Sequence, residues 1–341
     1  MRILVYGAGA VGSLLGGKLA YGGDDVMLLG RRPHVVAVLN RGLRIIWPEG
    51  EEITVKVDAA SQLSEALAGW GRPDLVVLTV KAFDTEKSAR ELGALLPSST
   101  PVVSFQNGMG NEEVLAKGLG QDRVVAGITT ISVSLLEPGT VRQNSSRGGL
   151  GLAPVSSEVP EMGEFAVRCR EAGFPVRIYQ NYRAMKWSKL LLNIMGNAIP
   201  ALTASNPASV YMDPRLFRLE RRAFLEALAV MRCQSIASVN LPGFPVRWLA
   251  VAMQHLPDPV LRLLLAGQVK GGRGKKPPSL QLDLQRGRRR TEIGWLNGAI
   301  AREGERLGLD VPINAKITEL LESVASGEIS HGEARRQLLG S

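Results

Sequence analysis

Three polar side chains recur at every fourth position in an otherwise apolar stretch of the chain. They are Lys189, Asn193 and Asn197, and on a helix this spacing places them on one face. An ammonium group donates three hydrogen bonds and can release a proton, whereas an asparagine amide both donates and accepts. Such a set suits a site that protonates an alkoxide and holds a carboxylate or a hydroxyl group. A solvent-facing polar stripe explains the spacing equally well, so the spacing alone leaves both interpretations open.

A glycine motif near the N-terminus indicates a different chemistry, the binding of a dinucleotide. The pattern G-x-G-x-x-G runs from Gly7 to Gly12, directly after an apolar run and directly before a helical pattern. In this context Gly7 allows a tight turn, Gly9 lets the backbone approach a pyrophosphate, and Gly12 lets the helix pack on the strand. The pyrophosphate would then lie on the free N–H groups around Ala10 and Val11 at the helix start.

The residues after the second apolar run favour NADP over NAD. An NAD site usually places an acid at the end of this strand, for the ribose 2′-hydroxyl, whereas an arginine suits a 2′-phosphate. After the run 25–29 the chain has Arg31 and Arg32 and no acid. Lys81, which follows the apolar run 75–80, is a second candidate for the same phosphate or for the adenosine edge. A solvated basic turn is the alternative for the two arginines.

Taken in order, several short motifs resemble those of the ketopantoate reductase (2-dehydropantoate 2-reductase) family. They run from the N-terminus to about residue 315: the glycine motif; Val80-Lys81-Ala82-Phe83; Gln106-Asn107-Gly108-Met109-Gly110; Trp187-Ser188-Lys189-Leu190 with Asn193 and Asn197; Pro278-Ser279-Leu280; Thr291-Glu292-Ile293; and Leu296-Asn297-Gly298. The resemblance implies an NADPH-dependent reduction of 2-ketopantoate to pantoate, on the route to pantothenate and coenzyme A. It also implies a Rossmann domain and a helical domain, with the active site in the cleft.

The same resemblance assigns roles to individual residues. Lys189 resembles the general acid that protonates the nascent alkoxide, and Glu292 resembles its carboxylate partner. A carboxylate that favours a helix N-terminus is a second interpretation of Glu292. Asn107 is expected near the nicotinamide, its ribose and the substrate, although a simple turn would also explain it. Substrate oxygens are the expected partners of three further residues, Asn193, Asn197 and Ser279.

The chain departs from the family pattern in the segment that includes Ser279. It has Leu-Gln-Leu-Asp after this serine where the family commonly has Met-Leu-Gln-Asp, and the spacing from Asp283 to Glu292 is one residue longer. Lys276 stands where some members carry a substrate-binding asparagine. We therefore keep two alternatives: an NADPH-dependent reductase of another branched 2-keto acid, and a non-catalytic NADP-binding redox sensor.

The elements that position these residues predict an α/β fold. Strand and helix patterns alternate up to about residue 180, which predicts a doubly wound, Rossmann-type parallel sheet. Only helical periodicity follows, so we expect an NADP-binding domain over 1–180 and an all-helical substrate and catalytic domain over 181–341. In detail, the patterns predict one helix over 190–202, one strand over 124–133 and a long connection over 254–276.

Composition limits the kinds of molecule that the protein is expected to bind. The 341 residues carry a net charge of +9, but the basic residues are diffuse and aromatic residues make up only 5%, so nucleic acid binding is not expected. A positive field would equally attract a phosphorylated cofactor and a carboxylate substrate. No apolar run suggests a membrane span or a signal peptide, and two cysteines with three scattered histidines suggest no metal site, so a cytoplasmic enzyme is expected. The oligomeric state stays open, a homodimer included.

Overall fold

A computed structural model of the chain describes residues 1–156, 159–272 and 277–340. These residues form two compact units. The first contains Met1–Gln106, Gly110–Met185 and Leu241–Phe244, and the second contains Asn107–Met109, Lys186–Asn240 and Pro245–Ser341.

The first unit is built on an eight-stranded sheet. In chain order the strands of the whole unit are β1 (Arg2–Tyr6), β2 (Asp25–Leu29), β3 (Leu43–Ile46), β4 (Glu52–Val55), β5 (Asp58–Ala60), β6 (Leu75–Leu78), β7 (Val102–Ser104), β8 (Val124–Thr129), β9 (Val133–Glu137), β10 (Thr140–Gln143), β11 (Leu150–Pro154) and β12 (Val176–Ile178). The large sheet has the order β12-β11-β8-β7-β6-β1-β2-β5, and all its neighbours are parallel except β8 and β11. From β5 to β8 this is the order of a Rossmann fold, whose connections reverse between β1 and β6.

Helices cover this sheet, and a second sheet of four strands lies beside α1. The helices of the unit are α1 (Ala10–Tyr21), α2 (Arg32–Arg41), α3 (Leu63–Trp70), α4 (Thr85–Leu95), α5 (Asn111–Leu119), α6 (Pro160–Glu171) and the first residues of α7 (Tyr182–Ile194). The small sheet has the order β4-β3-β10-β9. Ile3, Leu4 and Val5 of β1 are fully buried, as expected for a central parallel strand covered on both faces.

In its described residues the second unit contains helices and no strand. They are the rest of α7, then α8 (Ala198–Leu202), α9 (Pro207–Met212), α10 (Pro214–Cys233), α11 (Val246–His255), α12 (Asp258–Gly272), α13 (Ser279–Gln285), α14 (Asn297–Arg306), α15 (Pro312–Ser326) and α16 (His331–Leu339). The fold class expected from the sequence, a Rossmann-type sheet followed by a helical region, is confirmed.

Three details of the expected element pattern are wrong. The helix expected over 190–202 is two helices, because α7 ends at Ile194 and α8 begins at Ala198. The strand expected over 124–133 is two strands, β8 and β9, which belong to different sheets. The connection expected over 254–276 contains α12, a helix of fifteen residues.

Candidate functional site

The glycine loop of the first unit is held in one conformation by its own backbone. The N–H groups of Gly7 and Ala8 both donate to the carbonyl oxygen of Leu29, at 3.0 and 2.7 Å. Thr79 Oγ1 donates to the carbonyl oxygen of Gly7 at 2.7 Å, so the residue after β6 fixes the loop after β1. Gly7 has φ +115, and a Cβ atom there would lie 2.7 Å from Val80 N. The loop therefore lies where the sheet changes direction, the usual ligand crevice of this topology.

Two glycines of the motif differ in the space around them. A Cβ atom on Gly12 would lie 2.4 Å from the Gly7 carbonyl oxygen and 2.5 Å from Thr79 Oγ1, so close packing of α1 on β1 excludes a side chain. A Cβ atom on Gly9 would meet no atom nearer than 4.0 Å, and its φ of −85 suits any residue. The fold of the protein alone does not require glycine at position 9, which fits a position kept open for a ligand.

The start of α1 lacks the side chain that usually caps a helix. Gly9 is the N-cap residue, no side chain accepts a hydrogen bond there, and the first turn contains no acid. The N–H groups of this turn, which include those of Ala10 and Val11, thus have neither a capping side chain nor an acid of the same turn beside them. An anionic group such as a pyrophosphate fits this arrangement.

Basic residues follow the strands on either side of this loop. Arg31 is the exposed N-cap residue of α2, just after β2, and its guanidinium forms no ion pair with any described residue. Lys81 is half-buried and precedes the 3₁₀ turn Ala82–Asp84 after β6. Both lie at carboxyl ends of parallel strands, where the sequence placed them.

In the second unit, the lysine and the two asparagines are not carried by one helix. Lys189 and Asn193 are half-buried on α7, but Asn197 lies beyond the helix end, as the N-cap residue of α8. The chain turns at Gly196, whose φ is +55 and whose N–H donates to both carboxylate oxygens of Glu220, at 3.2 and 3.1 Å. Glu220 is only 3% exposed, so a buried carboxylate holds the break.

The break still brings the expected substrate residues together. Asn193 Nδ2 donates to Asn107 Oδ1 at 3.2 Å, and Asn197 Nδ2 donates to the Asn193 carbonyl oxygen at 3.0 Å. Asn197 Oδ1 accepts from the N–H of Leu280 at 3.3 Å and lies 3.5 Å from Ser279 Oγ. Three separate chain segments thus supply one connected row of amides and a hydroxyl group.

Gly108 serves a contact that the sequence did not reveal. Its φ is +83, and a Cβ atom there would lie 2.4 Å from the carbonyl oxygen of Trp295. The N–H of Met109 donates to that same oxygen at 3.0 Å. The close approach at Gly108 is therefore to the backbone after Glu292, and it fixes Asn107 relative to this segment.

Glu292 is 5% exposed and directly precedes the 3₁₀ turn Ile293–Trp295. In the altered segment before it, Arg288 Nη1 contacts Asp283 Oδ1 at 2.7 Å, and Asp283 is 3% exposed. One arginine of the run 288–290 is thus used in an ion pair with a buried carboxylate.

Lys276, which the sequence analysis noted in place of an asparagine, lies outside the described residues.

Sequence reasoning missed Thr79 and Glu220, two residues that hold the proposed sites in shape. Thr79 fixes the glycine loop, and its only sequence signal is its place after an apolar run. Glu220 gives no local signal, because its partner is 24 residues away in sequence.

Across the described part of the chain, no three potential metal-ligating side chains form a group that could hold a metal ion. None of the helices described above has the length and apolar composition needed to cross a membrane.

Family models match most of the chain. The model for ketopantoate reductase PanE/ApbA matches residues 3–156, and the model for its C-terminal part matches residues 181–325. The 2-dehydropantoate 2-reductase of Pyrococcus horikoshii is 29% identical over 334 residues, which cover 96% of this chain and 98% of that protein.

Solved structures agree with these matches. A PanE/ApbA family ketopantoate reductase from Ralstonia eutropha has a TM-score of 0.80 at 30% identity, over 96% of this chain and 99% of its own. A 2-dehydropantoate 2-reductase from Geobacter metallireducens has a TM-score of 0.80 at 26% identity, over 95% and 99%. The resemblance inferred from the motifs is confirmed: the chain belongs to the ketopantoate reductase PanE/ApbA family, whose members are NADP-dependent oxidoreductases.

Proposed function

We propose that the protein reduces 2-dehydropantoate to pantoate with NADPH, as a step in the formation of pantothenate and coenzyme A. In this proposal residues 1–180 hold the cofactor and residues 181–341 carry the substrate and catalytic residues. The observation that supports it most strongly is the connected row formed by Asn107, Asn193, Asn197 and Ser279. Each of these residues was expected to bind the cofactor or the substrate, and they converge from three segments.

The first unit has the features that a dinucleotide needs. The open side of Gly9 and the uncapped start of α1 suit a pyrophosphate, bound by the first-turn N–H groups. Arg31 would pair with the ribose 2′-phosphate, and Lys81 would bind the same phosphate or the adenosine edge. Asn107, which belongs to the second unit, would hold the nicotinamide end. When bound, the reduced nicotinamide supplies a hydride to the keto carbon.

The residues of the second unit would bind and protonate the substrate. In this proposal Lys189 donates a proton to the keto oxygen as negative charge develops on it, and its positive charge stabilises that oxygen until the transfer. Glu292 orients the lysine ammonium and accepts a hydrogen bond from the substrate hydroxyl. The amides of Asn193 and Asn197 and the hydroxyl of Ser279 donate to substrate oxygens.

A steady-state assay with matched substrates tests this function. The loss of NADPH absorbance is followed with 2-dehydropantoate and with 3-methyl-2-oxobutanoate, which has the same branched keto acid but lacks the hydroxymethyl group. We expect a higher kcat/KM for 2-dehydropantoate, by about tenfold or more, because a site built around a substrate hydroxyl leaves polar groups unpaired without it. A preference for the compound without the hydroxyl would instead support reduction of another branched 2-keto acid.

A site variant separates an enzyme from a redox sensor. Lys189→Met should lower kcat by roughly 10²-fold or more and leave NADPH binding unchanged, whereas the exposed Lys87→Met should change neither. No turnover by the wild-type protein with any 2-keto acid, together with tight NADPH binding, would contradict the catalytic proposal and favour a sensor.

A further inference from the structure

A cavity of about 410 Å³ lies in the first unit, away from the glycine loop. Its lining includes Lys18 of α1, Trp47 after β3, Gln143 of β10, and Phe174 before β12. Lys18 lies eight residues beyond the first residue of α1, which is about 12 Å along the helix axis at ~1.5 Å per residue. The cavity is therefore separate from the proposed pyrophosphate position.

At the base of this cavity is a buried positive charge. Lys18 is only 8% exposed, and no carboxylate among the described residues pairs with its ammonium group. Its Nζ donates to the carbonyl oxygen of Gly173 at 3.2 Å and lies over the rings of Phe174 and Trp47, at 4.1 and 4.8 Å from their centroids. Burial lowers the pKa of this ammonium group, which means that the protein environment disfavours its charge.

A buried lysine without a counter-ion is costly to the fold and is therefore unusual. The two rings offset part of this cost, because their faces attract a cation. One carbonyl oxygen uses only one of the three N–H donors of the ammonium group. A carboxylate from outside the protein would supply the missing negative charge and further acceptors.

The rim of the same cavity has the opposite charge. Glu49 and Glu51 line it, both are exposed, and neither forms an ion pair with a described residue. Gln143 is 8% exposed, and its Oε1 atom is buried and accepts no hydrogen bond from the described residues. The carboxylates of Glu49 and Glu51 repel anions, which disfavours phosphates and dicarboxylates as ligands of this cavity.

We propose that this cavity binds a small zwitterion of the amino acid class, with its carboxylate on Lys18 and its ammonium group toward Glu49 and Glu51. The volume is that of a small-molecule site. This inference does not rest on the proposed reductase activity, because it concerns a different part of the first unit.

Three probes of the same shape test the charge pattern. L-leucine carries both groups, 4-methylpentanoate keeps the carboxylate without the ammonium group, and 3-methylbutan-1-amine keeps the ammonium group without the carboxylate. Binding to the wild-type protein is measured by saturation-transfer NMR and by calorimetry at low salt. We expect leucine to bind best, 4-methylpentanoate to bind at least about tenfold more weakly, and the amine not to bind.

Variants then locate the site. Lys18→Met keeps the apolar stem and should abolish leucine binding, while Lys56→Met, which removes an exposed lysine of the same unit, should leave it unchanged. Should Lys18→Met fail to fold, the surface double variant Glu49→Gln with Glu51→Gln serves instead. It should weaken the binding of leucine, whose ammonium group loses its carboxylate partners. It should strengthen the binding of 4-methylpentanoate, because for this probe the two carboxylates are only repulsive.

Several outcomes would overturn the proposal. They are the absence of leucine binding by the wild-type protein at millimolar concentration, equal binding of leucine by Lys18→Met, and equal binding of the amine and leucine. NADPH binding and keto acid turnover are measured on the same samples, so a failure of this inference is distinguishable from a failure of the proposed function.

Discussion

The roles of Gly9 and Gly12 in the glycine motif can be separated by a pair of alanine variants. Gly12→Ala places a methyl group 2.4 Å from the Gly7 carbonyl oxygen and 2.5 Å from Thr79 Oγ1. Both contacts are far shorter than carbon and oxygen atoms tolerate, and the nearer one involves backbone, so α1 has to shift away from β1. Gly9→Ala places the same methyl group where the nearest protein atom is 4.0 Å away.

The expected magnitudes follow from these contacts. Overpacking of this kind costs about 1–3 kcal/mol, and for a unit of this size each kcal/mol lowers Tm by about 2–4 °C. Gly12→Ala should therefore melt about 2–12 °C below the wild-type protein. Gly9→Ala should melt within roughly 2 °C of the wild type, because an open position changes stability by only about 0.5 kcal/mol.

Cofactor binding should respond differently from stability. Gly9→Ala should weaken NADPH binding by about tenfold or more, because the methyl group occupies space that the pyrophosphate needs. A tenfold loss of affinity corresponds to ~1.4 kcal/mol. Gly12→Ala should weaken NADPH as well, because the shifted helix start moves the N–H groups that bind it. Only Gly9→Ala should lose binding without losing stability.

The assay combines thermal unfolding without cofactor and NADPH titration by fluorescence. Normal NADPH affinity in Gly9→Ala would show that the open side of this residue does not face the cofactor. Wild-type melting in Gly12→Ala would show that the packing of α1 on β1 is less tight than the distances indicate. Either result would refute the reasoning about that glycine.

Three further predictions concern single side chains. Arg31→Ala should weaken NADPH by about 1–3 kcal/mol and NADH far less, and equal losses measured by titration of both cofactors would contradict the role of Arg31 at the 2′-phosphate. Lys189→Ala should lower kcat by roughly 10²-fold or more, and wild-type activity should fall at alkaline pH as the ammonium group deprotonates; near-normal turnover would remove Lys189 from the mechanism. His34 accepts from the N–H of Gly139 at 3.1 Å and lies 3.1 Å from Ser13 Oγ, and burial lowers its pKa. The unfolded chain then binds a proton more readily than the folded chain, so the free energy of unfolding should fall as the pH drops below about 6.5. In His34→Asn the amide Oδ1 can replace the ring nitrogen as acceptor, and chemical denaturation of this variant should show a smaller fall with pH.

The sequence predicted those parts of the fold whose cause is local. The apolar run before the glycine motif and the run 25–29 are the strands β1 and β2, because a parallel strand covered on both faces is a nearly continuous apolar run. The division of 124–133 between two sheets depends on partners in other strands, so the local pattern could not show it. The small sheet likewise pairs β3 with β10, almost a hundred residues later in the chain.

The same distinction applies to the candidate site. Residue types and spacing predict that Lys189 and Asn193 share a helix, and both lie on α7, but the turn after this helix depends on the buried carboxylate of Glu220 on α10. The expectation that Asn197 shares this helix face is wrong, because Asn197 joins the hydrogen-bonded row from the N-cap of α8. The contact of Gly108 with the Trp295 backbone joins segments far apart in the chain and leaves no local signal.

The two ends of the large sheet also affect how copies of this chain meet. Its edge strands, β5 and β12, are three residues each, and each carries an exposed charged residue, Asp58 and Arg177. A long, flat and uncharged edge offers unpaired backbone groups to another chain and promotes aggregation or strand exchange. Short charged edges give a neighbouring molecule few groups to pair with, so end-to-end joining of these sheets is disfavoured even at high protein concentration.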